Sequence, residues 1–444
     1  MDDHGGGRGR PRPPAPGKRT PPRPPADAPP KPARRPTGGP ARPPRPAPDR
    51  PPRPPRPAAH RPARPAHPTP ASPVRPARPG PALVPALDCE AEVIPGLERF
   101  AHEELATHLG KRMEVLPAPR PGTVRFRFRG DPQTLLGLRS VVAVYLTRVF
   151  AVPRPRGLLG NELFAAILAL IDQVRGLQPA AFRTFRLSAA GEDSSVLTRL
   201  KTDLAARTRL APGGEEADLL LRLRRAAGGT GWEVLVRLTP RPLTARAWRV
   251  CNLPGALNAV VAHAMARLAA PAPGERYLNL ACGSGTLLVE RLALGPVRWA
   301  LGCDLDAPVL ACARANLAAA DLIDRAHLVQ ADAGRLPLPD ATCDAITADL
   351  PFGHLIGSHT ENEQLYPRLL AEATRVAAPG ARLVLITHEI RLLDHLLAEP
   401  ALAAAWRRAE TIRVTLPFGA GGLNPRIFVL QRRPAGDAAS DGDD

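Results

Sequence analysis

Apolar residues recur at helical spacing in EVIPGLERFAHEELATHLG, where Leu97, Phe100, Ala101, Leu105 and Leu109 share one face. The period drops to two in TVRFRFRG. Val124, Phe126 and Phe128 alternate there with Arg125, Arg127 and Arg129, the pattern of a half-buried strand whose basic outer face is read as solvated. Further on, residues 163–174 predict an apolar helix, TFRLSAA a strand, 195–210 a helix, and DLLLRLRR and WEVLVRL two short strands. These later segments describe a compact α+β unit of about ninety residues, so that residues 87–245 together read as two small α/β pieces. They hold no cluster of catalytic residue types, so a binding or positioning role is expected.

After Arg246 the pattern changes to strands and helices in alternation, which predicts a parallel sheet covered on both faces. Strands are expected at 277–280, 297–303, 326–329, 345–348, 381–387, 407–416 and 426–431, with helices between them. The fold class is therefore α/β at the C-terminal end, preceded by the α+β region.

Composition adds a third kind of segment. Residues 1–82 hold 18 of the 60 lysines and arginines but 4 of the 42 aspartates and glutamates, so this stretch carries +14 of the formal charge of +18. Its proline density favours polyproline II and forbids the amphipathic helix of a transit peptide, and it offers almost nothing to bury. A disordered Pro/Arg-rich arm is expected, serving either as a nonspecific attractor of RNA or as a solvated extension with no dedicated role. Residues 435–444 are too polar to pack and read as an acidic disordered tail. The six cysteines, at 89, 251, 282, 303, 312 and 343, show no paired CxxC spacing, so neither a disulfide framework nor a metal site is expected. The longest apolar stretch is about half of what crosses a bilayer, and a cytoplasmic protein with no membrane partner is expected.

Candidate chemistry gathers at the ends of the predicted strands. The first runs into ACGSGTLLVERLA, placing Gly283 and Gly285 at a strand-to-helix turn where backbone approaches a ligand closely. A tight turn with no ligand is the competing reading. Leu288 stands where a dinucleotide fingerprint wants a small residue, which disfavours a nicotinamide cofactor. Asp304, at the end of the second strand, has the position of an acceptor for ribose hydroxyls, and Asp306 suits the following helix N-cap better. Asp332, just past the third strand, is either an acceptor for an adenine amine or a loop cap. The fourth strand ends in ITADLPFGH. Here Asp349 offers a carboxylate, Pro351 stiffens the turn and Phe352 offers a flat face on which a base can stack. An exocyclic amine is a poor nucleophile because its lone pair is delocalised into the ring. Hydrogen bonds from its N–H groups to Asp349 and a nearby carbonyl would localise that pair. The segment TLPFG repeats Leu-Pro-Phe-Gly at 416–419 without the aspartate, and no chemistry is expected of that copy or of Phe418.

The segments LNLACGSGTLLVE, GCDLD, ADA and DLPFG resemble motifs I to IV of the class I methyltransferases. Together with RPLTARAWRV and PGALNAVVAHAM upstream, they resemble the THUMP-domain RNA methyltransferases, and most of all the tRNA guanine-N2 group. The resemblance leaves the arm at 1–82 outside it and implies a ferredoxin-like piece at 87–154, a THUMP-like RNA-binding domain at 155–245 and a Rossmann-like class I methyltransferase domain at 246–434. It implies S-adenosylmethionine held by Asn279, Ala281, Gly283, Gly285, Thr286, Asp304 and Asp332. Asp349, Leu350, Pro351 and Phe352 would form the catalytic turn, with tRNA as the partner. Asn279 replaces an acidic residue found in many relatives, and Leu350 replaces the first proline of the commoner Asp-Pro-Pro-Tyr form. Methylation of rRNA guanine or of adenine N6, and a nonenzymatic RNA-binding factor that keeps the fold, are the alternatives; intact Asp304, Asp332 and Asp349 argue against the last. A cysteine nucleophile is disfavoured, since Cys343 lies at a strand and not in the catalytic turn.

Overall fold

The computed structural model describes residues 86–118, 120–191, 193–352, 358–417 and 422–434. The expectations for the N-terminal arm, for residues 435–444 and for Phe418 lie outside them.

Alternating strands build the N-terminal half. β1 (Leu87–Glu92), β2 (Met113–Leu116), β3 (Thr123–Phe128) and β4 (Ala143–Phe150) precede β5 (Thr184–Ala189), β6 (Ala211–Pro212), β7 (Leu219–Arg225) and β8 (Trp232–Arg237). All eight join one sheet in the order β2-β3-β1-β4-β8-β7-β5-β6, because β4 pairs antiparallel with β8. The segments expected as a ferredoxin-like piece and a THUMP-like domain thus contribute four strands each to a continuous sheet. Ala91, Phe126, Phe128, Leu146, Leu221 and Val236 enter a core shared with α1 (Glu98–Leu109), α2 (Asn161–Leu177) and α3 (Ser195–Thr208).

The other face corrects the reading of Arg125 as solvated, while Arg127 keeps a partly exposed side chain beside Asp88 and Arg129 is exposed as expected. Arg125 lies 2.5 Å from the buried Glu233 and donates to Thr147 at 3.0 Å, and Arg127 donates to Asp88 at 2.9 Å. Arg224 bonds both Glu90 and Glu233. Charges of opposite sign from adjacent and more distant strands of the sheet, which a single strand's pattern cannot reveal, pair across this face.

The second sheet holds β9 (Arg276–Leu280), β10 (Trp299–Asp304), β11 (His327–Gln330), β12 (Cys343–Asp349), β13 (Ala377–Thr387), β14 (Trp406–Arg413) and β15 (Arg426–Arg432) in the order β11-β10-β9-β12-β13-β15-β14. It is parallel except for β15, which runs antiparallel to β13 and β14. Both faces are covered, as expected. Leu383 and Leu385 of β13 enter one core with α7 (His359–Val376), while Val384 and Ile386 enter the other with α4 (Ala259–Leu268) and α5 (Thr286–Leu292). The remaining helices are α6 (Ala307–Ala319), α8 (Ile390–Ala398) and α9 (Pro400–Ala405). Strand order reverses between β9 and β12, so the crevice for a ligand is expected at their carboxyl ends.

Contacts among the described residues tie the two halves together, among them those of Arg267 of α4 with Phe100 O and Glu103 of α1. Glu290 of α5 is fully buried and accepts from Arg246 at 2.8 Å and from Arg139 at 3.0 Å, with His263 Nδ1 at 3.1 Å. Burial alone would raise its pKa, but the His263 hydrogen bond and the charges of Arg246 and Arg139 hold the carboxyl at about 2. Farther along, Thr415 N donates to Pro95 O at 3.1 Å, and Arg99 is hydrogen-bonded to Glu410 at 2.7 Å. The Pro95 segment approaches β14 so closely that a Cβ on Gly96, at φ +97°, would stand 2.0 Å from Arg413 O.

The expectation of no disulfide is overturned. Cys251 and Cys312 are bonded across 61 residues, with their Cα atoms 5.4 Å apart. The intervening chain runs through α4, β9, α5 and β10 before α6 brings Cys312 back, so tertiary packing makes the pair and spacing does not announce it. Closing a loop of this length stabilises a fold by about 4 kcal/mol in the chain-entropy view. Reductant is therefore expected to lower the melting temperature of the wild type and leave that of Cys251→Ser unchanged; equal sensitivity of the two proteins would reject the bond. Among the described residues no helix is long and apolar enough to cross a membrane.

Candidate active site

The turn after β9 is wound tightly. Ala281, Gly283 and Gly285 all have positive φ, at 44°, 55° and 76°. Gly285 N closes the turn on Cys282 O at 2.9 Å, and Cys282 N donates to Cys303 O at 2.8 Å. The two glycines do different work. A Cβ on Gly283 would meet nothing within 4 Å, whereas one on Gly285 would sit 3.1 Å from Ala313 Cβ, so Gly285 lets α5 start against α6. Leu288, the residue too large for a dinucleotide turn, is accommodated by Gly302 on β10, where a Cβ would stand 2.5 Å from its Cδ1.

This loop forms one side of a cleft of about 560 Å³ at the carboxyl ends of β9, β10 and β12. Ala281, Gly283, Thr286, Asp304, Asp349, Leu350, Pro351 and Phe352 all line it, so eight of the eleven expected site residues meet in one place. Asp304 ends β10 and orders the loop opposite, accepting from Gly283 N at 2.9 Å and from Asp306 N at 3.2 Å. Beside it Leu305 is 70 % exposed. Thr286 Oγ1 is engaged by Arg249 at 3.0 Å and Ser284 at 3.1 Å.

Three expected residues lie elsewhere. Asn279 is buried in β9, where its Nδ2 donates to Thr347 O at 3.1 Å and its Oδ1 meets no donor, so it stitches β9 to β12. Gly285 acts through packing. Asp332 is a loop cap with a partner: its Oδ1 accepts from Gly334 N at 2.8 Å and its Oδ2 is bound by Arg368 of α7. Arg368 arrives 36 residues later, so the sequence around ADA could not show the acid to be taken.

Asp349 ends β12 and is half-buried at the cleft, with no hydrogen-bond or ion-pair partner among the described residues. Withdrawal from water pushes its carboxyl up to about 7. Pro351 has no N–H, and its carbonyl accepts from Tyr366 Oη at 2.6 Å and Asn362 Nδ2 at 3.1 Å. The Phe352 ring lies 6.4 Å from the His388 ring, centre to centre.

Two walls of the cleft were not expected. Residues 253–258, just past the disulfide, supply one. Leu416, Pro417 and Leu423 supply the other, so the start of the second Leu-Pro-Phe-Gly copy, of which no chemistry is expected, borders the cleft. An isolated antiparallel bridge joins Leu416 to Leu423. Cys343, by contrast, is buried at the start of β12, and burial pushes its thiol up to about 12, so it offers no thiolate at neutral pH.

A parallel sheet with an antiparallel β15, a glycine loop after its first strand, an acid ending its second and Asp-Leu-Pro-Phe ending its fourth define a class I methyltransferase. The RMKL-like methyltransferase domain family (UPF0020) matches residues 246–418. A tRNA (guanine(6)-N2)-methyltransferase of Thermus thermophilus is 32 % identical over 364 residues, which cover 77 % of this chain and 99 % of that protein. The chain belongs to the tRNA guanine-N2 methyltransferase family. Among solved structures, TrmN from Thermus thermophilus superposes with a TM-score of 0.61 at 29 % identity, covering 78 % of this chain and 99 % of that one. SMU.472, crystallised with SAH, shares the fold at a TM-score of 0.56 and 14 % identity, covering 78 % of this chain and 97 % of its own.

Proposed function

We propose that this chain methylates the exocyclic N2 amine of a guanine in tRNA, using S-adenosylmethionine, in the cytoplasm. One juxtaposition carries the reading: the unpartnered Asp349 carboxylate and the Phe352 ring share a cleft with the glycine loop and Asp304. The residues present suit the cofactor. Gly283 leaves open space where a side chain would intrude, Asp304 keeps lone pairs for ribose hydroxyls, and the exposed Leu305 beside it offers an apolar face. Asp332 is left out of this set because Arg368 and Gly334 occupy it. When bound, S-adenosylmethionine supplies the electrophilic methyl group.

The chain's own residues prepare the amine. Phe352, Leu416, Pro417 and Leu423 give a base apolar surface within the cleft. Asp349 accepts an amine N–H, which localises the nitrogen lone pair. It also takes the proton that leaves nitrogen once the N–C bond forms, a task suited to a carboxyl of raised pKa. A target in a paired stem must first be flipped out, at a cost of a few kcal/mol. Residues 155–245, read as THUMP-like, and residues 87–154 hold the RNA. Incubation with unmodified tRNA followed by mass spectrometry of nucleosides is expected to yield N2-methylguanosine. Methylation of rRNA alone, or N6-methyladenosine as product, would discard the substrate assignment.

Asp304→Ala is expected to weaken S-adenosylmethionine binding about ten- to hundredfold, since charge-assisted hydrogen bonds contribute about 1.5–3 kcal/mol each. Calorimetry on Asp304→Ala and Asp304→Asn separates loss of the ribose acceptor from loosening of Gly283. Wild-type affinity in both variants would remove Asp304 from the site.

A further inference from the structure

The catalytic turn is held by a chain of hydrogen bonds that methyl transfer itself does not use. Tyr366 and Asn362 lie four residues apart on α7, and both are buried, at 0 % and 1 % exposure. Their donors converge on one atom, the Pro351 carbonyl oxygen, at 2.6 Å and 3.1 Å. Tyr366 Oη is also 2.7 Å from Thr387 Oγ1, and Thr387 Oγ1 accepts from Glu389 N at 2.9 Å. The protons can be assigned. A carbonyl only accepts, so the phenolic hydrogen goes to Pro351 and the Thr387 hydroxyl donates to Tyr366. The chain therefore runs in one direction, from the end of β13 through α7 to the turn that carries Asp349 and Phe352.

Packing alone would not choose these residues. Tyr366 continues an apolar stripe of α7 with Leu369, Leu370 and Ala373, where phenylalanine would fill the same space. Asn362 is buried with its Oδ1 lacking any donor, a cost accepted while its Nδ2 serves Pro351. A proline in the turn removes the N–H by which a backbone is usually anchored, so the carbonyl is the handle that remains. With both of its lone pairs taken, that carbonyl cannot also receive the target amine.

We propose that Tyr366 and Asn362 are positioning residues for methyl transfer. By saturating the Pro351 carbonyl they fix the rotation of the turn, so that the Asp349 carboxylate and the Phe352 ring keep their places on the cleft wall. The inference rests on the reading of this turn as the reacting one. Misplacement of a reacting group by about 1 Å costs on the order of a hundredfold in rate.

The test uses the full-length chain with tRNA. Tyr366→Phe is expected to lower the single-turnover rate about ten- to hundredfold and to leave the RNA and S-adenosylmethionine affinities within about twofold. Thr387→Val keeps the Tyr366–Pro351 bond and is expected to keep most of the rate. In an Asp349→Ala background, adding Tyr366→Phe should cost clearly less than it does in the wild type, because the part of its effect that passes through Asp349 is gone and only the part that passes through Phe352 remains. An unchanged rate in Tyr366→Phe overturns the proposal, as does a loss repeated in full in the Asp349→Ala background, which is how a merely structural hydroxyl behaves. Should Tyr366→Phe fail to fold, Asn362→Leu supplies the same comparison, with a smaller loss expected. Wild-type turnover by Asp349→Ala would instead strike the reading of the turn, and so is distinguishable from failure of the clamp.

Discussion

Asp349→Ala is expected to lower kcat by about 10²–10³-fold while tRNA and S-adenosylmethionine affinities stay close to wild type, as for other groups that act mainly in the transition state. The pH profile carries the signature. A carboxyl at about 7 can take up the departing proton only when ionised, so the wild-type rate should rise through that value and level off above it. The residual rate of the variant should lack that limb. Stability should respond with the opposite sense. The folded-state value lies above the ordinary 3.8, so the folded chain binds the proton more tightly than the unfolded one, and stability falls as pH rises from about 4 through about 7. Asp349→Asn should therefore melt higher than wild type at pH 8 and at the same temperature near pH 3.5. Single-turnover assays and thermal unfolding across pH measure both effects. Undiminished turnover by Asp349→Ala would end the amine-activation mechanism.

Glu290→Ala is expected to cost about 3–5 kcal/mol of stability, because it strands Arg246 and Arg139 around a buried site with no counter-charge. The wild type should report the same network through acid. With a folded-state value of about 2 against an ordinary 4.5, Glu290 stabilises the chain fully above about 4.5, and that contribution is lost as pH falls toward 2. Glu290→Gln keeps acceptor and shape without charge and should fall between the two. Melting temperatures of all three that agree within about a degree would show that the network contributes nothing net.

What the sequence disclosed follows how far apart the determinants lie. Asp304 and Asp349 each end a strand whose apolar pattern is plain and Gly283 sits three residues past one, and a strand–turn–helix unit places such residues by itself. The sheet's reversal between β9 and β12 then brings them into one cleft. Asp332 occupies an equally legible position, yet its role depends on Arg368 of a distant helix. Two Leu-Pro-Phe-Gly segments look like an active copy and an idle one. Leu416 and Pro417 nevertheless line the same cleft, which no local pattern signals. Tyr366 and Asn362 did leave a trace, polar groups at helical spacing on a stripe that is otherwise apolar, but their shared target lies 11 and 15 residues upstream across a turn. The β3 arginines taught the same lesson, since alternation identifies a face without saying what stands opposite it.

The contact between the Pro95 segment and the end of β14 has a consequence for protein engineering. The wall formed by Leu416 begins one residue beyond Thr415, whose backbone bond goes to Pro95, and Glu410 of the same strand is bound by Arg99. A chimaera that grafts residues 246–434 onto a foreign RNA-recognition module would leave Thr415 and Glu410 without these partners, and with them the geometry of the base pocket. The transplantable cassette therefore starts near Leu87 rather than at Arg246, and retargeting by module exchange requires a recipient in which Pro95, Gly96 and Arg99 travel with the catalytic half.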